Sequence, residues 1–209
     1  TELYMNNLPP VTKNLLIINV LFFFGAIVGR RYGVDLNDML GLHFFLASDF
    51  KLFQLVTYMF MHGDFQHIFF NMFAVWMFGR TLEMVFGSKR FLTYYIVCGV
   101  GAALFQMGVA QIDLAHLDVG SRAWAMYMGT PTVGASGAIF GLLLAFGMLH
   151  PDAIISLIFP PISMKAKWFV LIFAGLELLL GISSSGGGIA HFAHLGGLIF
   201  GFILIMYWK

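Results

Sequence analysis

The chain has 209 residues, of which 60% are hydrophobic and only 10% are charged, and its formal net charge is +1. A soluble domain is about half apolar and about a quarter charged, so the apolar surplus must face lipid and excludes an ordinary soluble protein. The near-neutral charge with no Lys/Arg cluster gives no sign of nucleic-acid binding. The single cysteine, Cys98, excludes an internal disulfide framework.

Six apolar segments near the length of a membrane span follow one another along the chain, with the prolines between them. They predict an all-α membrane protein with six transmembrane helices, folded as one domain over residues 1–209 after a short tail at 1–12. The polar start carries no cleavage site for a signal peptide, so the first span is interpreted as a retained anchor. The predicted spans are residues 14–28, 68–86, 91–111, 134–149, 168–182 and 189–208.

Two connections stand out between the predicted spans. The first, about residues 30–66, mixes charges with apolar clusters, which favours a segment lying in the membrane interface; the alternative is an ordinary extracytoplasmic loop. The second, residues 183–188, is Ser-Ser-Ser-Gly-Gly-Gly and predicts a flexible loop before the last span.

The distribution of basic residues predicts the orientation. Six spans place both termini on one side, and that side would carry seven of the Lys and Arg residues against four on the other. Cytoplasmic loops are enriched in Lys and Arg, so both termini should be cytoplasmic. The compact core without a presequence favours a bacterial inner membrane.

Polar side chains inside spans are costly and usually functional. With this orientation, the second, fourth and sixth spans all run from outside to inside, and their polar residues lie near their outer starts. These residues are His67 and Asn71, then Ser136, then His191 and His194. Three segments far apart in sequence therefore place polar groups at one depth.

Two glycine pairs follow these residues: Gly137 with Gly141, and Gly197 with Gly201. Small residues four apart let membrane helices approach closely, which would bring Ser136 within reach of His194. The alternative is generic helix packing, with no chemical role for the serine.

A serine hydroxyl becomes a nucleophile when a base accepts its proton, and histidine is the usual base near neutral pH. Ser136 lies in a glycine-flanked turn at the start of a helix, where free N–H groups can meet an oxyanion. His67 and Asn71, one helical turn apart, can donate further hydrogen bonds. No Asp or Glu is expected at this depth, since Glu83 is near the inner end of its span and Glu177 well into the fifth, so a Ser–His dyad without a third acid is predicted.

These residues resemble the motifs of the rhomboid family. Residues 134–137, Gly-Ala-Ser-Gly, are similar to its GxSG element, and residues 67–71 to its HxxxN element. Residues 193–201 resemble its AHxxGxxxG element, and residues 79–88 its structural GxxxExxxGS element. The resemblance runs from about Leu52 to the C-terminus.

The resemblance implies a protease that cleaves membrane-anchored proteins in or near their transmembrane segment, in a water-filled cavity open to the extracytoplasmic side. It makes Ser136 the nucleophile, His194 the base, and His67, Asn71 and the Ser136 amide the oxyanion hole. It implies no cofactor and no metal, with transmembrane proteins and the lipid bilayer as partners. Gly134, Gly137, Gly197 and Gly201 would support the site, together with Phe140 packed under the histidine. Phe53-Gln54 replaces the family's frequent Trp-Arg, which puts the anchoring of the first loop in question.

Three alternatives remain. His62, His67, His191 and His194 could gather around zinc in a metal-dependent protease, although no HExxH is present. Intramembrane His, Asn and Ser could line the path of a transporter or channel, although no half-repeats are visible. A non-catalytic relative that binds membrane proteins would be expected to lack the serine or the histidine. His191 could also replace His194 as base, but the Gly197 and Gly201 spacing favours His194.

Overall fold

The structure is a computed structural model, and it describes residues 8–157, 161–183 and 189–209 of the chain. Most of the predicted flexible loop, at 184–188, and most of the predicted tail, at 1–7, lie outside the described residues. The described chain is mainly helical, as predicted. Its helices are α1 (Pro10–Arg31), α2 (Leu36–Leu40), α3 (Gln54–Thr57), α4 (Phe65–Ala74), α5 (Arg80–Phe86), α6 (Ser88–Leu114), α7 (Arg122–Gly129), α8 (Ser136–Leu149), α9 (Ala166–Ser183) and α10 (Ile189–Trp208).

Among the described residues, five helical segments are long and apolar enough to cross a membrane. They are α1, α6, α9, α10 and the continuous helix Phe65–Phe86, in which a π-helical turn (Val75–Gly79) joins α4 to α5. Large apolar side chains lie exposed along them, such as Leu21 and Phe24 on α1 and Leu179 on α9. Such faces suit contact with lipid tails, so the chain is an integral membrane protein.

The predicted fourth span corresponds to α8, which is a shorter apolar helix of 14 residues. At 1.5 Å per residue it is about 21 Å long, against about 30 Å for the hydrocarbon core. Helix α8 is also the hub of the bundle, since it packs against α4, α5, α6, α9 and α10. A short central helix allows its first residue to lie below the membrane surface.

Glycines set the close packing around α8. A Cβ atom on Gly197 of α10 would collide with the backbone carbonyl of Gly137, and one on Gly141 would collide with the Cys98 side chain of α6. The Tyr94 hydroxyl donates a hydrogen bond to the carbonyl oxygen of Gly141 at 2.9 Å. The predicted small-residue contacts between the fourth and sixth spans are therefore present.

The first long connection holds α2, α3 and a 3₁₀ turn (Tyr58–Phe60). Gln54 is buried there: its side-chain oxygen accepts hydrogen bonds from the backbone N–H groups of His43 and Lys51, and its amide donates to the carbonyls of Met39 and Asp49. Gln54 therefore holds the backbone of this connection together from within. Its position in the membrane interface stays a prediction.

The same connection is joined to the segment that leads into α8. Leu42 and Thr132 exchange two backbone hydrogen bonds of 2.8 and 2.9 Å. Further along, the Gly134 N–H donates to the Tyr58 carbonyl at 2.9 Å, and the Tyr58 hydroxyl donates to the Gly99 carbonyl at 2.7 Å. The backbone immediately before Ser136 is thus held on two sides.

A small hairpin adds β-structure to the predicted all-α fold. Strand β1 (Ile154–Ser156) pairs antiparallel with β2 (Ser163–Lys165) between α8 and α9. The exposed Asp152 carboxylate beside it accepts hydrogen bonds from the ammonium groups of Lys165 and Lys167, which lowers the pKa of that carboxyl. The hairpin lies at the end of α8 opposite Ser136.

Candidate active site

Ser136 is the first residue of α8, and the turn before it depends on glycine. Gly134 has φ of +129°, a conformation that side chains disfavour. A Cβ atom on Gly134 would come within 2.7 Å of the His67 ring, so the missing side chain also leaves space beside the serine. The first N–H groups of a helix have no intrahelical partner, which leaves the Ser136 amide able to bind an anion.

His194 of α10 lies directly beside the serine. Its Nε2 atom is 2.8 Å from the Ser136 Oγ atom, a hydrogen bond in which the hydroxyl donates when the ring is neutral. The Phe140 ring, one turn after Ser136, stacks on the imidazole at 4.3 Å between centroids and 9° between planes. The imidazole is therefore held in a plane that keeps Nε2 on the serine.

The second nitrogen of His194 contacts an acid. Its Nδ1 atom is 2.9 Å from the Glu177 Oε2 atom on α9, and the Glu177 side chain is only 12% exposed. A carboxylate oxygen accepts hydrogen bonds, so Nδ1 carries the hydrogen and Nε2 is free to accept. Serine, histidine and glutamate form one continuous chain of hydrogen bonds.

The expectation that no acid lies at this depth is therefore wrong. Helix α9 ends at Ser183, so Glu177 lies six residues, about 9 Å along the axis, from the end that faces the site. The depth of this acid follows from the sequence when it is counted back from the end of the fifth predicted span instead of forward from the start of that span.

His191 shares the same acid. Its Nδ1 atom is 2.6 Å from Glu177 Oε2, one helical turn before His194 on α10. The distance between the two imidazole centroids is 6.3 Å, and the rings are perpendicular. Of the two histidines, His194 is the one that contacts Ser136 Oγ, so the geometry selects it over His191 as the candidate base.

His67 and Asn71 project from one face of α4 toward the serine. The Asn71 Nδ2 atom is buried and has no hydrogen-bond partner, although it lies 3.6 Å from where a Cβ of Gly134 would be. The Gly63 N–H points at His67 Nδ1 at 3.5 Å, which favours the tautomer with its hydrogen on Nε2, the atom nearest Gly134. Two donors with free capacity thus lie next to the serine, as an oxyanion hole requires.

A cavity of about 420 Å³ opens over these groups. It is mixed in character, with apolar walls and a few polar side chains. Its lining includes Asp64, His67, Asn71, Gly134, Ser136 and His194.

His62 lies behind the wall of this cavity. It is 1% exposed and packs edge-on against the His67 ring at 5.0 Å between centroids, so it supports the ring of His67. Burial lowers the pKa of His62 to about 4. Within the described ranges, the four histidines of the zinc alternative do not form one cluster; the group with metal-ligand spacing is Glu177, His191 and His194.

Comparison with known proteins adds an independent finding. Residues 49–208 match the rhomboid domain family. The match therefore includes every helix that contributes a side chain to this site.

Three curated relatives show the range of similarity. Rhomboid protein 1, mitochondrial, of Saccharomyces cerevisiae is 32% identical over 142 residues, which is 68% of this chain and 38% of that protein. Rhomboid protease AarA of Providencia stuartii is 26% identical, covering 93% of this chain and 70% of the relative. Putative rhomboid protease YdcA of Bacillus subtilis is 27% identical, covering 94% of this chain and 86% of the relative. The relatives named as proteases support a protease function. The relatives include bacterial proteins and a protein whose name is mitochondrial.

Proposed function

The chain belongs to the rhomboid family, and on this basis we propose that it is an intramembrane serine endopeptidase with Ser136 as nucleophile and His194 as base. The observation that carries the proposal is the 2.8 Å contact between Ser136 Oγ and His194 Nε2 beside a cavity with two free donors. Helix packing alone requires no such contact.

The reaction is an acyl transfer in two halves. His194 Nε2 takes the hydroxyl proton while Ser136 Oγ attacks the peptide carbonyl, and the resulting oxyanion accepts hydrogen bonds from His67, Asn71 and the Ser136 amide. His194 then gives the proton to the departing amine, which leaves an acyl ester on the serine. Water, deprotonated by His194, attacks the ester, and the proton returns to Ser136 as the acid product leaves.

Glu177 acts in this scheme as a positioning residue. Its carboxylate accepts the Nδ1–H of His194 at 2.9 Å, fixes the tautomer and stabilises the imidazolium that forms during attack. The stacked Phe140 ring limits rotation of the same imidazole. The proposed catalytic group is therefore a triad instead of the predicted Ser–His dyad, and Glu177 of α9, the fifth predicted span, is its third member.

The proposed substrates are membrane-anchored proteins, cut in or near their transmembrane segment. The proposed topology has six spans and cytoplasmic termini, with the cavity open to the extracytoplasmic side. Its support is that the ends of α1 and α10 nearest the termini lie together, where Glu83 bonds to Thr12 and Trp208 packs on Phe86. A bacterial inner membrane remains the proposed location.

The test uses a fluorophosphonate probe, which needs no knowledge of the substrate. The purified protein should be labelled, and both Ser136→Ala and His194→Ala should lose labelling while remaining folded and inserted. Ser163→Ala removes an exposed serine hydroxyl on β2, remote from the site, and serves as the matched control that keeps full labelling.

The same variants are then compared on a model transmembrane substrate. Ser136→Ala should abolish cleavage, and full cleavage by this variant would overturn the assignment of the nucleophile. A wild-type protein that neither labels nor cleaves would favour the non-catalytic alternative.

A further inference from the structure

Three ligand-type atoms converge on the side of His194 that faces away from the serine. They are Glu177 Oε2, His191 Nδ1 and His194 Nδ1, and all lie within 4.8 Å of one another. Two imidazole N–H groups thus meet a single carboxylate oxygen, at 2.6 and 2.9 Å. A triad needs one such donor, so the second histidine is not explained by catalysis.

The donor set has a definite preference among cations. Two imidazole nitrogens and one carboxylate oxygen suit Zn²⁺ and related transition-metal ions, whereas Mg²⁺ and Ca²⁺ prefer oxygen ligands. His191 and His194 are three residues apart on α10, so they present both nitrogens on one helical face. Glu177 supplies the third ligand from α9.

Side-chain adjustment is enough to admit an ion. A tetrahedral ion with bonds of about 2.0–2.1 Å separates its ligand atoms by roughly 3.3 Å. The contacts of 2.6 and 2.9 Å would therefore lengthen by about 0.7 and 0.4 Å, and the two imidazole ligand atoms, which lie within 4.8 Å of each other, would approach by at most about 1.5 Å. The side chains of Glu177, His191 and His194 are 12%, 27% and 18% exposed, which leaves a path for the ion and a fourth position for water.

We propose that Glu177, His191 and His194 bind a divalent transition-metal ion of the Zn²⁺ class, and that the occupied site holds the protease inactive. The inhibitory half of this proposal rests on the proposed function.

The inhibition follows from the tautomers of imidazole. An ion on Nδ1 of neutral His194 requires the ring hydrogen to be on Nε2. Nε2 then donates and no longer accepts, so it cannot take the proton of Ser136 Oγ. The ion also removes Glu177 from its positioning role. Because the ion is on the far side of the ring from Ser136, it does not enter the cavity as a catalytic metal would.

The binding test uses Co²⁺, whose visible absorption reports tetrahedral coordination without any need for activity. The full chain in detergent is stripped with chelator and titrated with Co²⁺. Wild type and Ser136→Ala should both develop the tetrahedral bands, whereas His191→Asn should not. Asn keeps a hydrogen-bond donor near the position of Nδ1 but is a poor ligand for this class of ion.

The functional test measures fluorophosphonate labelling against Zn²⁺ concentration. Zn²⁺ should inhibit wild type reversibly, chelator should restore labelling, and Mg²⁺ should have no effect. His191→Asn should retain basal labelling and raise the half-inhibitory Zn²⁺ concentration by at least about 10-fold. His116→Asn, the same change at an exposed histidine in the turn that follows α6, is the matched control and should behave as wild type.

The two readouts separate the proposals. Absence of tetrahedral Co²⁺ bands in wild type, or bands and Zn²⁺ sensitivity that persist in both His191→Asn and His191→Ala, would overturn the metal site. Thermal unfolding of both variants shows that they are folded. Co²⁺ bands that depend on His191 in a protein that never labels would support the metal site while the protease function fails.

Discussion

Among the described residues, two glutamates lie within helices of the bundle, one toward each end, and their partners differ in kind. Glu83, 2% exposed, accepts hydrogen bonds from the backbone N–H groups of Val11 and Thr12 and from the hydroxyls of Thr12 and Ser88. Glu177 accepts from two imidazoles on α10, one of which also contacts Ser136.

The difference separates structural from chemical use of the same side chain. Backbone amides and hydroxyls stay protonated at ordinary pH and their positions are set by helix ends, so Glu83 joins the start of α1 to the start of α6. Imidazoles change tautomer and charge, bind metals and move protons. A partly buried carboxylate with partners of that second kind therefore indicates a functional site.

The same substitution at the two glutamates tests this comparison. Glu177→Gln should lower kcat by about 10²–10⁴-fold with little change in KM, because a neutral amide does not stabilise the imidazolium of His194. Cleavage is measured in buffer with chelator, so that any effect of metal is removed. Glu177→Asp should recover part of the loss, and a Gln variant with wild-type kcat would break the comparison.

Glu83→Gln should show the opposite pattern. An amide NH₂ in place of one carboxylate oxygen cannot bond to the backbone N–H that it faces, although the hydroxyl beside it can reverse and accept, so at least one of the four hydrogen bonds is lost. A hydrogen bond to a charged group contributes about 1.5–3 kcal/mol, so the free energy of unfolding should fall by about 2 kcal/mol or more. Labelling per folded molecule should stay near wild type; a loss of labelling greater than the loss of folded protein would contradict a purely structural role.

The sequence predicts the residues that surround Ser136 better than the residue that contacts the far side of His194. Ser136, His194, His67 and Asn71 each lie in the N-terminal part of their helix, and the glycine pairs explain why those helices meet. Glu177 does not fit this pattern because α9 runs antiparallel to those helices. Its depth must therefore be counted from the C-terminal end of α9. That Gln54 satisfies four backbone groups also depends on tertiary contacts between residues 39 and 54, which periodicity does not encode.

His62 is a buried histidine at the end of the bundle that holds Ser136, and it extends the comparison of the two ends to the pH dependence of stability. Burial lowers the pKa of His62 to about 4 from an ordinary 6.5. The unfolded chain therefore binds a proton below about pH 6.5 that the folded protein takes up only near pH 4. Stability is highest above pH 6.5 and should decrease by up to about 3 kcal/mol as the pH falls to 4.

His62→Gln isolates this contribution, since glutamine does not titrate. Thermal unfolding of wild type and variant is compared at pH 7.5 and pH 5. The wild type should lose more stability than the variant between the two values. Equal losses of stability in wild type and variant would show that His62 does not contribute to the acid sensitivity of the protein.

A substitution of Gln54 tests whether the end of the bundle that holds Ser136 also depends on a residue that, like Glu83, has a structural role. Its buried amide bonds to four backbone groups in the connection that pairs, through Leu42, with Thr132 before α8. Gln54→Ala leaves those groups unsatisfied and should lower the free energy of unfolding by about 2 kcal/mol. Because Leu42 and Thr132 hold the backbone that leads to Ser136, labelling should decrease modestly as well, unlike in Glu83→Gln. Unchanged labelling in folded Gln54→Ala would mean that the Tyr58–Gly134 hydrogen bond alone is enough to position the serine turn.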